Sequence, residues 1–239
     1  MILKEKTVAS FVAENYKTAD VFKKYHIDFC CGGNISLEAI CSKNNINLEE
    51  ISNDLDKIFN ENISPDENYN SWSVGKLVYH ILDNHHVYIR EAIPTIETYL
   101  LKLKKVHGEN HPELIQIQEL FYKMARDLEQ HLMKEENIIF PYALQLNSVN
   151  NSSEVPKPFF GSIKNPINMM HFEHESAGNE AKLIRKLTND FLPPEDACNT
   201  YRVAFKKLEE FETDLFKHVH LENNILFPKI IDLESKIIK

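Results

Sequence analysis

Two short stretches of the chain carry the same potential metal ligands in the same order. One reads HLMKEENIIFP and begins at His131, and the other reads HVHLENNILFP and begins at His218. In each stretch a glutamate, Glu135 or Glu222, follows the histidine by four residues, which puts both side chains on one face of a helix. Imidazole nitrogen and carboxylate oxygen are ligands for first-row transition metals. Each stretch can therefore contribute one histidine and one glutamate to a metal site.

A further histidine precedes each stretch at nearly the same distance. His86 lies 45 residues before His131, and His174 lies 44 residues before His218. The chain thus contains two similar halves, each with a single histidine and a histidine–glutamate pair. This repeat predicts a dinuclear site at a pseudo-twofold axis, with two histidines per metal ion and two bridging carboxylates.

Glu135 and Glu222 occupy positions that the helical pattern assigns to the core. A buried carboxylate costs several kcal/mol unless it is paired or bound to a metal, so both residues favour a metal site. The alternative is a bundle with buried histidine–glutamate hydrogen bonds and no metal. Glu173 is expected to face away from the site, with a role as an outer carboxylate as the alternative.

The remaining histidines are weaker candidates. Residues expected at the surface or in loops are His26, His107, His111 and His220. Residues that lie within about one turn of the proposed ligands are His80, His85 and His171. Of these, His85 replaces His86 as a ligand if the first helix is rotated by one residue.

Four long segments in the second part of the chain have apolar residues three and four apart, the spacing of an amphipathic helix. The predicted inward positions run through the ligands and include Leu82 and Ile89 in the first segment, Leu128 and Ile138 in the second, Met170 and Ala177 in the third, and Leu215 and Ile225 in the fourth. Four helices of this length predict an all-α protein with an antiparallel four-helix bundle. The polar stretch 147–165 is expected to cross between the two halves.

The N-terminal residues predict a separate small unit. Short helical patterns cover 17–25, 36–41 and 48–59, and Ser36 is a suitable N-cap for the second of them. We therefore expect a small helical domain over 1–60, a linker over 61–72 and the four-helix bundle over 73–239.

Composition narrows the function classes. The formal net charge of −9 argues against nucleic-acid binding, which calls for clustered Lys and Arg. No run approaches the roughly 20 apolar residues of a membrane span, and the first residues do not form the apolar stretch of a signal peptide. The four cysteines do not form a disulfide framework for a chain of this size. We expect a cytoplasmic protein with free thiols and no membrane partner.

Two adjacent cysteines, Cys30 and Cys31, precede Gly32 and Gly33. Neighbouring cysteines do not readily pair with each other, because their alpha carbons are only about 3.8 Å apart. The glycines permit a tight turn that would expose the thiols, and the nearby helix start could lower their pKa. This arrangement predicts thiol chemistry or transient iron binding, with two buried structural residues as the alternative. Cys41 and Cys198 are expected to be structural.

These residues together resemble a known family. The two histidine–glutamate stretches followed by Phe-Pro, with single upstream histidines, resemble the hemerythrin-like carboxylate-bridged di-iron bundles. The sequence DFCCGG from Asp28 to Gly33 is similar to the short cysteine-pair domain of the repair-of-iron-centres proteins. The resemblance implies two non-haem iron ions. The ligands that it implies are His86, His131, Glu135, His174, His218 and Glu222.

One position departs from the oxygen-carrying hemerythrins. They use a further histidine one turn after the third-helix ligand, and here that position is Gly178. The resemblance therefore implies irons with more open positions than an oxygen carrier has.

The implied function is repair of iron–sulfur clusters damaged by nitric oxide or oxidative stress, with damaged iron–sulfur proteins as clients. Iron supply through Cys30 and Cys31 is the implied route. The alternatives are a redox enzyme that reduces nitric oxide or nitrite, and an oxygen-binding carrier or sensor; both would bind small diatomic molecules. The oligomeric state is left open, with a homodimer as one alternative.

Overall fold

The computed structural model describes residues 5–59, 68–148 and 158–237, and all regular elements in these ranges are helices. The predicted all-α class is therefore confirmed. Across the same residues, none of the helices is both long enough and apolar enough to span a bilayer.

Between residues 8 and 59, the described part of the small N-terminal unit forms four short helices. Three were predicted, and the first was not, although Thr7 caps it by accepting a hydrogen bond from Ser10 N at 3.2 Å. Ser36 caps the third helix as predicted, with its Oγ accepting from Ala39 N at 3.3 Å. The helices are α1 (Val8–Glu14), α2 (Thr18–Lys24), α3 (Leu37–Asn44) and α4 (Leu48–Phe59).

The bundle consists of four long helical segments, as predicted. In the first, α5 (Val74–His80), a π-helical turn (Ile81–His86) and α6 (Val87–His107) follow without a break. The second joins α7 (Glu113–Lys134), a π-helical turn (Glu135–Ile139) and α8 (Phe140–Ser148). The third is α9 (Lys164–Leu187) alone, and the fourth joins α10 (Asn199–Leu221), a π-helical turn (Glu222–Leu226) and α11 (Phe227–Ile237). Helix α7 packs on α6 and α9, and α10 packs on the same two helices.

The three π-helical turns adjust which residues face the core. Each turn starts or ends at a proposed ligand: His86, Glu135 or Glu222. A π-helical turn inserts an extra residue and shifts the phase of the helix. Two predicted inward positions are therefore wrong by one residue, because Ile81 and Ile139 are buried where Leu82 and Ile138 were expected.

The small helices and the bundle share one hydrophobic core. Phe11 and Phe22 from the small unit belong to the same buried cluster as Leu215 and Val219 of α10. The ring of Phe29 also contacts the ring of His220, with centroids 5.9 Å apart. The prediction that His220 lies at the surface is wrong, because the N-terminal unit covers it completely.

Two predicted connections fall partly outside the described residues. Of the expected linker 61–72, residues 61–67 are among those not described; Tyr69–Ser71 forms a 3-10 helix, and Tyr69 is buried. Of the expected crossing loop 147–165, residues 149–157 are likewise not described, and helices occupy the positions up to Ser148 and from Lys164 onward.

Candidate metal centre

All six residues predicted as ligands meet in the middle of the bundle. The structure forms two groups whose ligand atoms lie within 4.8 Å of one another. The first contains His86 and His218, the second contains His131 and His174, and both contain Glu135 and Glu222. All six residues are buried. This is the arrangement that two metal ions bridged by two carboxylates require.

Each group draws on both halves of the repeat. His86 comes from the first half and His218 from the second, and the same holds for His131 and His174. The pseudo-twofold axis therefore passes between the two groups, and neither half can build a metal position alone. The sequence repeat shows the symmetry, but only the packing of the four helices determines which histidines come together in one group.

The orientation of the second pair of histidines calls for a cation. His131 Nδ1 donates to Glu173 Oε2 at 2.8 Å, and His174 Nδ1 donates to Asn223 Oδ1 at 2.8 Å. In neutral rings this leaves both Nε2 atoms as acceptors, yet these two atoms are only 2.9 Å apart. Their lone pairs repel unless a proton or a metal ion lies between them.

The carboxylates of Glu135 and Glu222 also lack other partners. Both side-chain oxygens of Glu135 and of Glu222 are buried with no hydrogen-bond partner among the described residues. The nearest polar atoms are ligand nitrogens, such as His218 Nε2 at 3.0 Å and His174 Nε2 at 3.1 Å from Glu222. Buried polar atoms of this kind need an explanation, and a bound metal ion provides one. The donor set of four imidazoles and two carboxylates therefore fits a pair of transition-metal ions.

The charges of the site follow from burial and these close contacts. Burial alone would lower the pKa of His131, but the Glu135 and Glu173 carboxylates raise it to about 10. Burial likewise opposes the charged form of Glu222, but the His218 and His174 rings hold the pKa of its carboxyl well below its usual value. The pKa of His218 is lowered by burial. Metal binding would therefore displace a proton from His131.

Outer residues orient the ligand histidines in a pattern that follows the repeat. Glu136 directly follows Glu135, and Asn223 directly follows Glu222. Glu136 Oε1 accepts from His86 Nδ1 at 2.7 Å, as Asn223 does from His174. In each half, the residue after the bridging glutamate thus fixes the single upstream histidine. The shared offset of Glu136 and Asn223 in the two copies was the available signal, although neither residue was among the predicted site residues.

A second pair of outer residues precedes the single histidines. Glu173 precedes His174 and bonds His131, so the expectation that Glu173 faces away is wrong. His85 precedes His86 and stacks on His218, with ring centroids 5.6 Å apart and planes 6° apart. Its Nδ1 donates to Asp214 Oδ1 at 2.8 Å. His85 therefore supports the site from outside. His86, and not His85, belongs to the ligand group, so the alternative in which His85 replaces it is wrong.

The cysteine pair lies in a turn held by Asp28. The Oδ1 atom of Asp28 accepts from the backbone nitrogens of Cys30 and Cys31 at 3.0 and 3.1 Å. Cys30 is buried and Cys31 half-buried, so the expectation that the turn exposes both thiols is wrong. The expectation of a lowered pKa is wrong for Cys30: its hydrogen bond to Cys31, together with burial, raises the pKa of the Cys30 thiol well above its usual value.

This cysteine turn rests directly on the metal-binding part of the bundle. Asn224 Nδ2 donates to the carbonyl oxygen of Cys30 at 3.2 Å. At Gly178, a Cβ atom would stand 3.6 Å from Cys31 Sγ. The position at which oxygen-carrying hemerythrins have a further histidine is therefore covered by a thiol. Neither ligand group contains a cysteine.

The other histidines and cysteines considered from the sequence belong to neither ligand group. His26 and His171 are exposed, and His80, His107 and His111 are half-buried. Cys41 is buried in the small unit, whereas Cys198 is exposed at the start of α10.

Comparisons with known proteins identify both parts of the chain. Residues 77–230 match the family described as Hemerythrin HHE cation binding domain, and residues 4–58 match a Domain of Unknown function (DUF542). A Haemophilus influenzae protein named Probable iron-sulfur cluster repair protein is 35% identical over 89% of this chain and 90% of its own length. The Iron-sulfur cluster repair protein ScdA of Staphylococcus epidermidis is 33% identical over 96% of this chain and 100% of its own length.

A third relative, the Iron-sulfur cluster repair protein YtfE of Pectobacterium atrosepticum, is 31% identical over 90% of this chain and 91% of its own length. The likeness thus covers the small unit and the bundle together. The chain belongs to the family of iron–sulfur cluster repair proteins, in which this N-terminal domain precedes a hemerythrin HHE cation-binding domain.

Proposed function

We propose that this protein repairs iron–sulfur clusters damaged by nitric oxide or oxidative stress, and that it does so by supplying iron from a carboxylate-bridged di-iron centre. His86, His131, His174 and His218 are the terminal ligands in this proposal, and Glu135 and Glu222 are the bridges. Damaged iron–sulfur proteins are the clients. The relatives' names support cluster repair and give no support to nitric oxide reduction or oxygen transport as the main function.

The observation that carries the proposal is the sharing of both glutamates by two sets of histidines. Each metal position would take two imidazoles and the two shared carboxylates from this chain, which would leave positions open for other ligands. When bound there, two iron ions would supply redox-active centres accessible to small molecules such as nitric oxide or oxygen. Open positions and few protein ligands also allow an iron ion to leave, as a donor requires.

The surrounding residues keep the ligands ready while the iron content changes. Glu136, Glu173 and Asn223 hold three ligand rings through Nδ1, so that each Nε2 continues to face the site. Such outer partners fix ring orientation and raise ligand basicity. His131 can hold a proton when iron leaves, because the neighbouring carboxylates raise its pKa.

The cysteine turn is the proposed exit for the iron. It lies over Gly178, one turn after the ligand His174, and Asn224 anchors it to the segment that carries Glu222. Thiolate sulfur is a soft ligand that competes for iron leaving a nitrogen and oxygen site. Burial of Cys30 means that the turn must open, or meet its client, before both thiols can act.

The test is an anaerobic transfer experiment. Reduced, iron-loaded protein is mixed with a [4Fe–4S] enzyme inactivated by nitric oxide, and enzyme activity is followed together with the iron that remains in the bundle. We expect activity to return as the bundle loses iron. A bundle that keeps its iron while the enzyme stays inactive would refute supply of iron.

Three variants separate the iron site from the proposed cysteine route. The Glu135→Leu/Glu222→Leu double variant should bind no iron and restore no activity. The Cys30→Ser/Cys31→Ser double variant should bind iron normally but transfer it more slowly, whereas Cys41→Ser, which alters a buried thiol of the same unit, should transfer at the normal rate. If the parent, Cys30→Ser/Cys31→Ser and Cys41→Ser all transfer iron at the same rate, the cysteine turn is not the route.

A further inference from the structure

A row of ring side chains leads from the surface of the bundle to the candidate metal centre. It begins at the half-buried ring of Trp72 and continues through His80 and His85. It ends at His218, a candidate ligand. The centroids of successive rings are 5.1, 5.6 and 5.6 Å apart, which is the usual spacing of rings in contact. These four side chains, here called the aromatic path, therefore connect the surface with the centre through an unbroken series of π systems.

Hydrogen bonding explains only part of how these rings are placed. Asn84 Nδ2 donates to His80 Nδ1 at 3.1 Å, and His85 Nδ1 donates to Asp214 Oδ1 at 2.8 Å. The other nitrogens of the first three rings, Trp72 Nε1, His80 Nε2 and His85 Nε2, are buried without a hydrogen-bond partner among the described residues. Burying a polar atom without a partner costs free energy, and apolar side chains would fill the same space without that cost. Three such rings in series therefore point to a use of their π systems.

Lysine side chains surround the outer end of the aromatic path. Lys76 Nζ lies 3.8 Å from the centroid of the Trp72 ring. Lys217 Nζ lies 5.4 Å from the ring of Tyr69, which in turn is 4.8 Å from the Trp72 ring. Lys229 Nζ donates to a backbone carbonyl oxygen of the 3-10 helix that contains Tyr69. Within the described ranges, none of these three ammonium groups forms an ion pair with a carboxylate; together they are called the lysine patch.

The lysine patch contrasts with the charge of the whole protein. A formal net charge of −9 repels an acidic partner, whereas three neighbouring lysines attract one locally. Such a local field raises association rates by about 10–10³-fold and orients the partner as it arrives. The lysine patch therefore fits a small redox protein whose acidic surface surrounds its cofactor, and it would place that cofactor against Trp72.

We infer that the lysine patch docks a small acidic redox protein and that the aromatic path carries electrons from it to the metal centre. The inference rests on the proposed function, in which iron leaves the centre. The donor is oxidised by one electron for each ferric ion that is reduced to the ferrous form, and no covalent bond forms or breaks in the protein. The lower charge of Fe²⁺ weakens its attraction to the two glutamates, so that reduction favours release.

The test follows oxidation of the donor and does not require cluster repair. The probe is flavodoxin, a small acidic flavoprotein, which is reduced and mixed anaerobically with the iron-loaded ferric protein in a stopped-flow instrument. We expect flavin oxidation at a rate that saturates with concentration and falls as salt is added. A flavin that stays reduced would overturn the inference. Because no damaged client is present, that result would leave the supply of iron to clients untouched.

Two variants interrupt the aromatic path at different rings. Trp72→Leu and His80→Gln should each lose the fast phase of flavin oxidation at saturating concentration. Tyr88→Leu is the matched control, since it removes a half-buried ring of α6 that lies outside the path, and it should keep the fast phase. If either path variant keeps the fast phase, or Tyr88→Leu loses it, the path is wrong. Iron analysis and thermal unfolding check that each variant is loaded and folded.

Docking is measured separately, on the metal-free protein. Its binding to immobilised oxidised flavodoxin is followed by surface plasmon resonance. Lys76→Gln/Lys217→Gln should weaken this binding by about tenfold at low salt, where the local field is strongest. Lys102→Gln/Lys105→Gln, which removes two exposed lysines of α6, should leave it unchanged. Equal weakening by both double variants, or no binding by the parent, would overturn docking at the lysine patch.

Discussion

Replacing the bridging Glu135 by Leu should abolish normal iron binding yet leave the metal-free bundle folded. Glu135 is fully buried, and polar atoms close to it are His131 Nε2 at 3.3 Å and His86 Nε2 at 3.4 Å. Removing one partner of a buried ion pair usually destabilises a protein by about 3–5 kcal/mol, because a charge is left uncompensated. That cost should not arise here.

The reason is that both histidines keep another carboxylate. Glu173 accepts from His131 Nδ1 and Glu136 accepts from His86 Nδ1. The Leu side chain also removes the repulsion between Glu135 and Glu222, which opposes ionisation of both. Replacing a whole buried ion pair by apolar groups of similar volume is often neutral or stabilising by about 1–4 kcal/mol, and Glu135→Leu resembles that case because both histidines keep a carboxylate partner. We therefore expect the free energy of unfolding of metal-free Glu135→Leu to be equal to or greater than that of the parent.

The assay is urea unfolding with a chelator present, paired with iron analysis of the reconstituted protein. Glu234→Leu is the matched control, since Glu234 is another buried glutamate but is fully hydrogen-bonded. Its oxygens accept from Tyr142 OH at 3.0 Å, Ser162 Oγ at 2.6 Å and Ile163 N at 2.8 Å. Losing these bonds should destabilise the protein by about 3–5 kcal/mol while the iron content stays normal.

Two results would refute this reasoning. If metal-free Glu135→Leu is destabilised as strongly as Glu234→Leu, the carboxylate has a structural role that the hydrogen bonding does not reveal. If Glu135→Leu and Glu222→Leu both retain stoichiometric iron, the assignment of these residues as bridges is wrong.

Three further changes test other parts of the structure. Glu173→Ala should weaken metal binding by about 10–100-fold in chelator competition, because His131 loses the partner that orients it. Burial lowers the pKa of His80 to about 4. As the pH falls from about 6.5 to 4, the imidazole is therefore protonated in the unfolded chain but not in the folded protein, and the protein loses stability. His80→Gln should remove at most about 3 kcal/mol of the resulting loss in unfolding free energy. Gly33→Ala should destabilise the N-terminal unit by about 1–3 kcal/mol in urea unfolding, since its Cβ would lie 2.5 Å from the Phe29 carbonyl oxygen.

Each of these has a control or a contrary outcome. Glu180→Ala removes an acidic side chain from the same helix as Glu173 without touching a ligand, and should leave metal affinity unchanged. Unfolding free energies of the parent and His80→Gln that change in parallel between pH 6.5 and 4 would contradict the role given to His80. Gly32→Ala should be milder than Gly33→Ala, because its Cβ meets only the side chain of Asp28 at 3.3 Å.

The fold class and the six candidate ligands could be predicted from the sequence because both depend on local spacing. A histidine four residues before a glutamate shares a helix face whatever the rest of the chain does. Burying the carboxylate of an inward glutamate costs so much free energy that its presence on an apolar stripe indicates a metal ligand. The repeat then distinguishes these glutamates from chance, since Glu135 and Glu222 recur in the same surroundings.

The wrong predictions concern residues whose burial or contacts depend on segments that are distant in the chain. His220 is buried because the N-terminal unit packs over α10, and nothing in the stretch around His220 indicates that cover. Glu173 of α9 contacts His131 of the neighbouring helix α7, although in the chain it precedes the candidate ligand His174. The inward positions at Leu82 and Ile138 were wrong because π-helical turns shift the helix phase, and the ideal period used for the sequence has no such shift.

The sequence by itself determined the helical class, the pseudo-symmetry and the set of candidate ligands, since these follow from residue types at fixed local spacings. Only the tertiary structure decided that each candidate ligand group combines histidines from both halves, which residues orient those histidines, and that Cys31 covers Gly178. These features depend on how separate helices pack, and packing is set by the whole core at once.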